Sequence, residues 1–254
     1  MSQSRRTTLG ATGLTLGLVA LMLILILTAL HAVGTDGGLY YRLQMKAGIL
    51  PGAGVTEDEL RGLDGRMADY LAGDRAALEE APPFNDREMT HMADCYGLFA
   101  LLRKVRKRLV PWAVLLIVGG AYLLQDRRKA RRIALLSPLV LLIPLGAFAL
   151  WAAVDFDGAF TFFHRALFTN DLWLLDPRTD LLIRVCPESM FMAMGLRIAL
   201  WGLAALVAVP GLAVLLTFLW PKSKSNEGNQ WNDNRATRRA AAQRQKTFDF
   251  GAKR

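Results

Sequence analysis

Imidazole chemistry is what first distinguishes this sequence, because the chain contains only three histidines. His31 ends a long apolar stretch, whereas His91 and His164 lie in the stretches 84–94 and 156–191, which mix aromatic, acidic and basic side chains. Imidazole exchanges protons near neutral pH, so a pair of histidines can act as general acid and base. We therefore take His91 and His164 as the candidate catalytic residues and assign no chemical role to His31.

The elements that must position these residues are membrane-spanning helices. The chain is 53% hydrophobic with a mean hydropathy of +0.25, and its apolar residues fall in long blocks. A helix needs about 20 apolar residues to cross a hydrocarbon core of roughly 30 Å. Three blocks are long enough, and tilt can accommodate a shorter fourth. We predict transmembrane helices at Gly13–Val33, Leu109–Leu124, Ile133–Val154 and Ile198–Trp220.

The basic residues predict which helix ends face the cytoplasm. They precede the first predicted helix, cluster between the second and third, and follow the fourth. Because cytoplasmic loops carry an excess of Lys and Arg, we expect both termini and the loop between helices two and three to be cytoplasmic. Segments 34–108 and 155–197, with both candidate histidines, then lie outside. The basic run Arg103–Arg108 also falls on the outer side, where we interpret it as reaching towards anionic lipid headgroups.

The predicted fold class is an all-α membrane protein with four transmembrane helices and a small helical extracytoplasmic cap. In the cap, Thr56-x-x-Glu59 is a capping box, and Asn85 or Asp86 can begin a further helix. The predicted segments are 1–33 (N-terminal tail and helix one), 34–108 (cap and lead-in to helix two), 109–154 (helices two and three), 155–197 (outer aromatic and acidic loop), 198–220 (helix four) and 221–254 (basic cytoplasmic tail, expected to be disordered).

Two features leave alternatives open. The first apolar block is longer than the hydrophobic region of a signal peptide, so we expect a retained anchor rather than a cleaved leader. Cys95 and Cys186 both fall on the outer side, where a disulfide can form, but two buried free thiols fit equally well.

The net charge of +9 reflects the cytoplasmic excess of basic residues, so we expect membrane lipids and no nucleic acid as partners.

The residues near the two histidines could bind a substrate or support the fold. Carboxylates can orient an imidazole or cap a helix. Arginines can hold a carboxylate or a lipid phosphate, or form interfacial ion pairs. Aromatic side chains can line a cleft or anchor the chain at the membrane interface. The candidate substrate-binding residues are Tyr40, Arg87, Glu88, Phe163, Arg165, Asn170, Asp171 and Trp173.

Other functional classes have less support. His91, His164, Cys95, Glu88 and Asp94 include metal-ligand types, but no HExxH, HxxEH or CxxC spacing is present, so we predict no metal and no cofactor. Neither a Gly-x-Ser-x-Gly elbow nor a nucleotide-binding glycine motif occurs. A transporter is expected to carry a charge in the middle of a span, and no predicted span does. A non-enzymatic membrane scaffold or sensor is the alternative to an enzyme.

Each candidate histidine lies in a longer motif. The first motif comprises Leu63–Leu71 and Gly73, followed by Phe84-Asn85-x-Arg87-Glu88-x-x-His91-Met92-x-Asp94. The second is Phe163-His164-x-x-x-Phe168-x-Asn170-Asp171-x-Trp173-x-Leu175-Asp176-x-x-Thr179-Asp180-Leu181-Leu182-Ile183, with Pro187-Glu188 after it. Both motifs resemble those of the lipoprotein intramolecular transacylases (Lit). The resemblance covers roughly residues 10–220, and Cys95 and the run 103–108 depart from the family's pattern.

The resemblance implies an acyl transfer within one substrate molecule in the bacterial cell membrane. The substrate would be a diacylglyceryl-modified lipoprotein with a free N-terminal cysteine amine. Its sn-2 acyl chain would move to that amine and leave a lyso-form lipoprotein, with His91 and His164 as the catalytic residues. General chemistry agrees, because one imidazole can take the amine proton while the other polarises the ester or passes the proton on. The sequence does not distinguish the base from the acid.

Overall fold

The structure is a computed structural model that describes residues 2–219 together with Arg235 and Thr237. Over the described residues the chain forms helices and no strands, which confirms the predicted all-α class. The helices are α1 (Gln3–Gly34), α2 (Gly37–Ala47), α3 (Leu50–Ala53), α4 (Glu57–Ala72), α5 (Ala76–Glu79), α6 (Asp86–Leu124), α7 (Arg127–Leu136), α8 (Leu139–Val154), α9 (Phe156–Leu167), α10 (Leu181–Val185) and α11 (Glu188–Leu219).

Four helical segments are long and apolar enough to cross a membrane, as predicted. They are α1, α6, the pair α7 and α8, and α11. Three of them begin well before the predicted spans, α1 at Gln3, α6 at Asp86 and α11 at Glu188. Long charged side chains can extend away from a helix without disturbing its backbone hydrogen bonds. The basic run at 103–108 therefore does not interrupt α6. The predicted tail, 221–254, and Trp220 lie outside the described residues apart from Arg235 and Thr237.

The third span is divided in two at Ser137 and Pro138. Ser137 ends α7, and Pro138 begins α8 with a φ of −60°. Proline has no backbone donor, so it is tolerated at a helix start and breaks the hydrogen-bond ladder behind it. Pro144 lies inside α8, and no α8 residue is buried. Helix α8 therefore exposes an apolar surface, whereas α7 contributes Ala130 and Ala134 to the protein core.

The first and second spans pack backbone to backbone through glycines. Gly13 faces Gly120, so α1 and α6 run antiparallel along one another. A methyl group added at Gly10 would lie 2.5 Å from the Leu124 nitrogen, and one at Gly17 would lie 2.7 Å from the Ile117 nitrogen. Such close approach needs residues without a side chain, and it is typical of helix pairs in membranes. This pair forms the support on which the cap stands.

The cap packs α2, α4 and α10 around buried apolar side chains and one buried polar group. Gln44 donates from Nε2 to Asp64 Oδ1 and to the Val185 carbonyl, each at 2.9 Å, and thereby joins all three helices. Burial raises the pKa of Asp64 to about 7. The predicted capping box at the start of α4 is confirmed, since Thr56 and Glu59 bond each other's backbone nitrogens.

Candidate active site

His91 stands near the start of α6, which is fixed by a second capping box. The side chain of Asn85 accepts from the Glu88 nitrogen, and Glu88 Oε2 accepts from the Asn85 nitrogen at 2.9 Å. The other oxygen, Glu88 Oε1, accepts from the Leu182 nitrogen at 2.6 Å, and Asn85 Nδ2 donates to Asp180 Oδ1 at 2.9 Å. The start of α6 is thus bonded directly to the start of α10.

Further polar contacts join α6 to the segment between α9 and α10. The Arg87 guanidinium donates to the carbonyl oxygens of Asp171 and Leu174, at 2.9 Å and 2.7 Å. One turn beyond His91, Asp94 Oδ2 accepts from Asn170 Nδ2 at 2.9 Å. These contacts close the segment that follows α9 over the face of α6 that carries His91.

His164 lies on α9 among four aromatic rings. Its ring centroid is 3.9 Å from Phe160, 5.0 Å from Trp173 and 5.5 Å from both Phe163 and Phe168. His164 Nδ1 lies 2.8 Å from the Phe160 carbonyl oxygen. A carbonyl can only accept, so Nδ1 carries the hydrogen and, in the neutral ring, Nε2 carries the lone pair. Burial lowers the pKa of His164, against the smaller opposing effect of that hydrogen bond.

The two candidate histidines lie side by side. Their ring centroids are 6.2 Å apart, and Phe168 closes one side of the pair at 5.0 Å from His91. Only 8% of His91 and 9% of His164 is exposed. His91 Nε2 is 3.7 Å from the Cys95 thiol, and among the described residues its Nδ1 is buried without a partner. The rings are close enough for both to contact one small reacting group.

The side chains considered as metal ligands or as disulfide partners can now be placed. Within residues 2–219, 235 and 237, no three His, Cys, Asp or Glu side chains lie together in a way that could hold a metal ion. Glu88, one of the ligand types considered for such a site, uses both oxygens on backbone nitrogens. Cys95 and Cys186 are both free thiols, so the alternative of a disulfide between them is not realised.

A family model of the lipoprotein intramolecular transacylase Lit matches residues 15–191, which include both histidine motifs. The chain belongs to this family. Lit proteins are acyltransferases, so membership decides against the alternative of a non-enzymatic scaffold or sensor. A lipoprotein is the substrate class that the family name implies, and the four apolar helices make this a multi-pass membrane member of the family.

Solved structures of Lit share the fold. The membrane integral Lit of Bacillus cereus superposes with a TM-score of 0.61 at 23% identity, covering 86% of this chain and 98% of that chain. A form of that protein with a histidine-to-arginine mutation gives 0.59 at 24% identity, covering 84% and 91%. A histidine-to-alanine form gives 0.58 at 23%, covering 83% and 91%. No curated protein sequence matches the chain.

The structure of this Lit protein separates the candidate substrate-binding residues into two groups. Phe163 and Trp173 lie against His164, and Asn170 and Asp171 lie in the segment joined to α6. Arg165 is exposed on α9 one residue beyond His164. The Arg87 guanidinium donates to two backbone carbonyls and does not point into an open space.

Two candidates of this Lit protein are buried away from any opening. The hydroxyl of Tyr40 donates to the Gly34 carbonyl, and only 4% of its side chain is exposed. Only 1% of Glu88 is exposed, and its oxygens accept from the backbone. Their contacts support the helix ends, and a substrate-binding role for these two residues stays a prediction.

Two residues of the site, Phe160 and Phe168, were not predicted as neighbours of a histidine, whereas the four-residue spacing places Cys95 on the same helix face as His91. Phe160 supplies both the closest ring and the carbonyl that binds His164 Nδ1. Phe168 lies beside both imidazoles and closes one side of the pair, and the Cys95 thiol contacts His91. The available signal was helical spacing, since Phe160 and Phe168 each lie four residues from His164, and Cys95 lies four residues from His91.

Proposed function

We propose that this Lit protein moves the sn-2 acyl chain of a diacylglyceryl lipoprotein to the N-terminal cysteine amine of the same molecule, using His91 and His164. The observation that carries the proposal is the pair of imidazoles at 6.2 Å, enclosed by aromatic side chains. Since nucleophile and ester belong to one substrate molecule, no protein nucleophile is required. The enzyme has to bring the two groups together and move protons, and orientation alone can lower the barrier by about 7–11 kcal/mol.

His164 is the general base in this proposal. Its Nδ1–H is held by the Phe160 carbonyl, so Nε2 has a lone pair available to a substrate proton. Its lowered pKa keeps the ring neutral at physiological pH, which is the state that a base needs. The amine nitrogen attacks the ester carbonyl carbon as its proton passes to Nε2.

His91 supplies the complementary hydrogen-bond donor. If the Cys95 thiol donates to Nε2, the hydrogen of His91 is on Nδ1, the buried nitrogen without a partner among the described residues. Nδ1–H can then stabilise the negative charge on the ester oxygen. When the ester C–O bond breaks, the glyceryl oxygen takes the proton from the imidazoles. One amide bond forms, one ester bond breaks, and no water is consumed.

The aromatic surroundings favour transfer over hydrolysis. Trp173, Phe160, Phe163 and Phe168 enclose His164, and exclusion of water protects the ester from competing attack. Both imidazoles are covered in this conformation, so the substrate has to displace part of the aromatic wall. Phe163, which is 44% exposed, is the member of that wall most open to an incoming acyl chain.

The proposed orientation puts this site at the extracytoplasmic face, with both termini in the cytoplasm. Asp126 and the basic helix α7 lie at the opposite end of α6 from His91. Arg6 at the start of α1 lies over the Tyr122 ring, also at that end. Because basic residues favour the cytoplasmic side, the His91 end of the bundle faces outward.

The test replaces each histidine in turn. We expect H91A and H164A each to abolish the N-acyl lyso-form lipopeptide, measured by mass spectrometry of the N-terminus of a co-expressed lipoprotein. H31A is the matched control, because His31 packs on Phe99 at the end of α1 and takes no part in the pair. Lyso-form produced at the wild-type level by either H91A or H164A would show that the two-histidine mechanism is wrong.

A further inference from the structure

An open basic groove lies on α6 between the membrane-spanning part of the helix and the cap. It is a shallow, open surface lined only by residues of α6 itself, namely Ala100, Arg103, Lys104, Lys107 and Arg108. Lys104, Lys107 and Arg108 are exposed. Among the described residues, none of these three forms an ion pair or a hydrogen bond with an acidic side chain. The groove therefore presents positive charge that the protein does not neutralise.

Arg103 fixes the upper wall of this groove. Its guanidinium donates to the Leu71 carbonyl at 2.5 Å and lies 5.7 Å from the centre of the Tyr96 ring. Leu71 belongs to the last turn of α4, so Arg103 joins the groove to the cap. The remaining three cations have no such structural task. Their charge is available to a ligand.

The depth of the groove matches that of lipid phosphate groups. Lys104 and Leu124 are about 30 Å apart along α6 at a rise of 1.5 Å per residue. That distance equals the usual thickness of the hydrocarbon core. With the end of α6 at Leu124 and the basic helix α7 at one membrane surface, Lys104 lies at the headgroup level of the other leaflet.

The surface below the groove suits acyl chains. Leu115 and Val118 share a face of α6 with Lys104 and Arg108, and they are 59% and 63% exposed. Trp112, one turn below Arg108, is 60% exposed. No other helix covers these side chains among the described residues. A basic groove above an exposed apolar strip is complementary to a phospholipid, whereas a soluble anion would use the groove alone.

We propose that this groove binds the phosphate of an anionic phospholipid whose acyl chains lie along α6 from Val110 to Val118. The proposal does not depend on the catalytic histidines. Binding holds α6 and, through Arg103, the cap at a fixed depth in the membrane. The ligand is a resident lipid of the leaflet on the His91 side of the bundle.

The experiment uses the full chain in lipid nanodiscs with phosphatidylglycerol that carries a photoreactive group in one acyl chain. Mass spectrometry of peptides locates the crosslinks, which we expect within 109–118. Since each basic residue near an anionic surface contributes about 1 kcal/mol, each single change K104Q, K107Q or R108Q should raise the half-saturating lipid fraction about five-fold. The triple variant should raise it about a hundred-fold. The photoreactive phosphatidylcholine analogue should label this strip only weakly.

Two control variants separate charge from folding and from general electrostatics. K104R/K107R keeps the charges and should label as the wild type does. R128Q/K129Q/R132Q removes three exposed cations at the opposite end of the span and should leave labelling of 109–118 unchanged. The proposal is overturned if K104Q/K107Q/R108Q labels like the wild type, or if phosphatidylcholine labels as well as phosphatidylglycerol. Loss of labelling on adding soluble glycerol phosphate would also overturn it, because the groove would then take a free phosphate.

Discussion

The two imidazoles of the site are held by different kinds of interaction. His91 stands on α6, whose first turn is joined to α10 and to the segment after α9: Asn85 and Arg87 donate hydrogen bonds, and Glu88 accepts one from Leu182. His164 stands on α9, where its surroundings are aromatic rings and one backbone carbonyl. Polar contacts therefore position the first histidine, and aromatic packing positions the second.

The supports beneath the two histidines differ in the same way. Helix α6 packs closely on α1 through glycines, whereas α8, which leads into α9, has no buried residue. Buried hydrogen bonds to a charged group resist displacement, while an aromatic wall with an exposed member, Phe163, can rearrange around a substrate. Substitutions around His91 should therefore mainly lower the stability of the protein, and substitutions around His164 should mainly lower the rate of the reaction.

The largest effect is expected from Glu88→Ala, on the His91 side. Removing a buried carboxylate that accepts from the Asn85 and Leu182 nitrogens should lower the free energy of unfolding by about 4 kcal/mol. Because the bond between Glu88 of α6 and Leu182 of α10 is then missing, transacylation should be lost as well. The measurements are thermal unfolding in detergent and the yield of lyso-form lipopeptide.

Glu80→Ala is the matched control for this change. Glu80 is an exposed carboxylate at the end of α5, and its removal should leave both stability and product yield unchanged. A stable Glu88→Ala protein would contradict the idea that polar contacts hold the His91 side.

The intermediate effect is expected from Phe160→Ala, on the His164 side. The loss of a ring 3.9 Å from His164 should reduce the rate at neutral pH about ten-fold with little change in stability. Removing this ring also exposes His164 to water, so its lowered pKa should move back towards the ordinary value of 6.5. The measurement is the pH dependence of product formation.

The direction of the pH effect follows because His164 has to be neutral to act as the base. In the wild type, burial keeps His164 unprotonated to lower pH, so activity should fall only below 6.5. Stability supplied by the neutral ring is present above 6.5 and is lost as the pH falls through the lowered pKa. Phe160→Ala should shift the acid limb upwards. Phe162→Ala, which removes a 54% exposed ring packed on Trp151, should not shift it.

The polar contacts around His91 are easier to predict from the sequence than the aromatic contacts around His164. Capping boxes are local patterns, so Thr56 with Glu59 and Asn85 with Glu88 can be recognised from three-residue spacing. The second oxygen of Glu88 binds Leu182, which is distant in the chain, and no local pattern indicates that contact. For this reason the sequence leaves open whether Glu88 supports the fold or binds the substrate.

The aromatic side depends on backbone geometry that composition does not reveal. The tautomer of His164 is set by the Phe160 carbonyl, whose position exists only once α9 has formed. Hydropathy likewise predicts four spans but not the extent of α6, because a basic run lowers local hydropathy without breaking helical hydrogen bonds. Side-chain composition predicts which segments contain the two histidines. Backbone contacts then determine which nitrogen of each ring is available for a substrate.

The smallest effect is expected at Cys95, where the two sides of the comparison meet. Its thiol lies 3.7 Å from His91 Nε2, at the limit of a weak hydrogen bond. If that contact selects the tautomer with the hydrogen on Nδ1, Cys95→Ala should lower product formation about two- to three-fold. Cys95→Ser should restore it, because a hydroxyl donates to the same nitrogen more strongly. Cys186→Ala, which removes a buried thiol that has no contact with a histidine among the described residues, should affect stability and leave the rate unchanged. Equal activity of Cys95→Ala and Cys95→Ser would mean that the thiol only fills space, and that the tautomer of His91 is selected by the substrate itself.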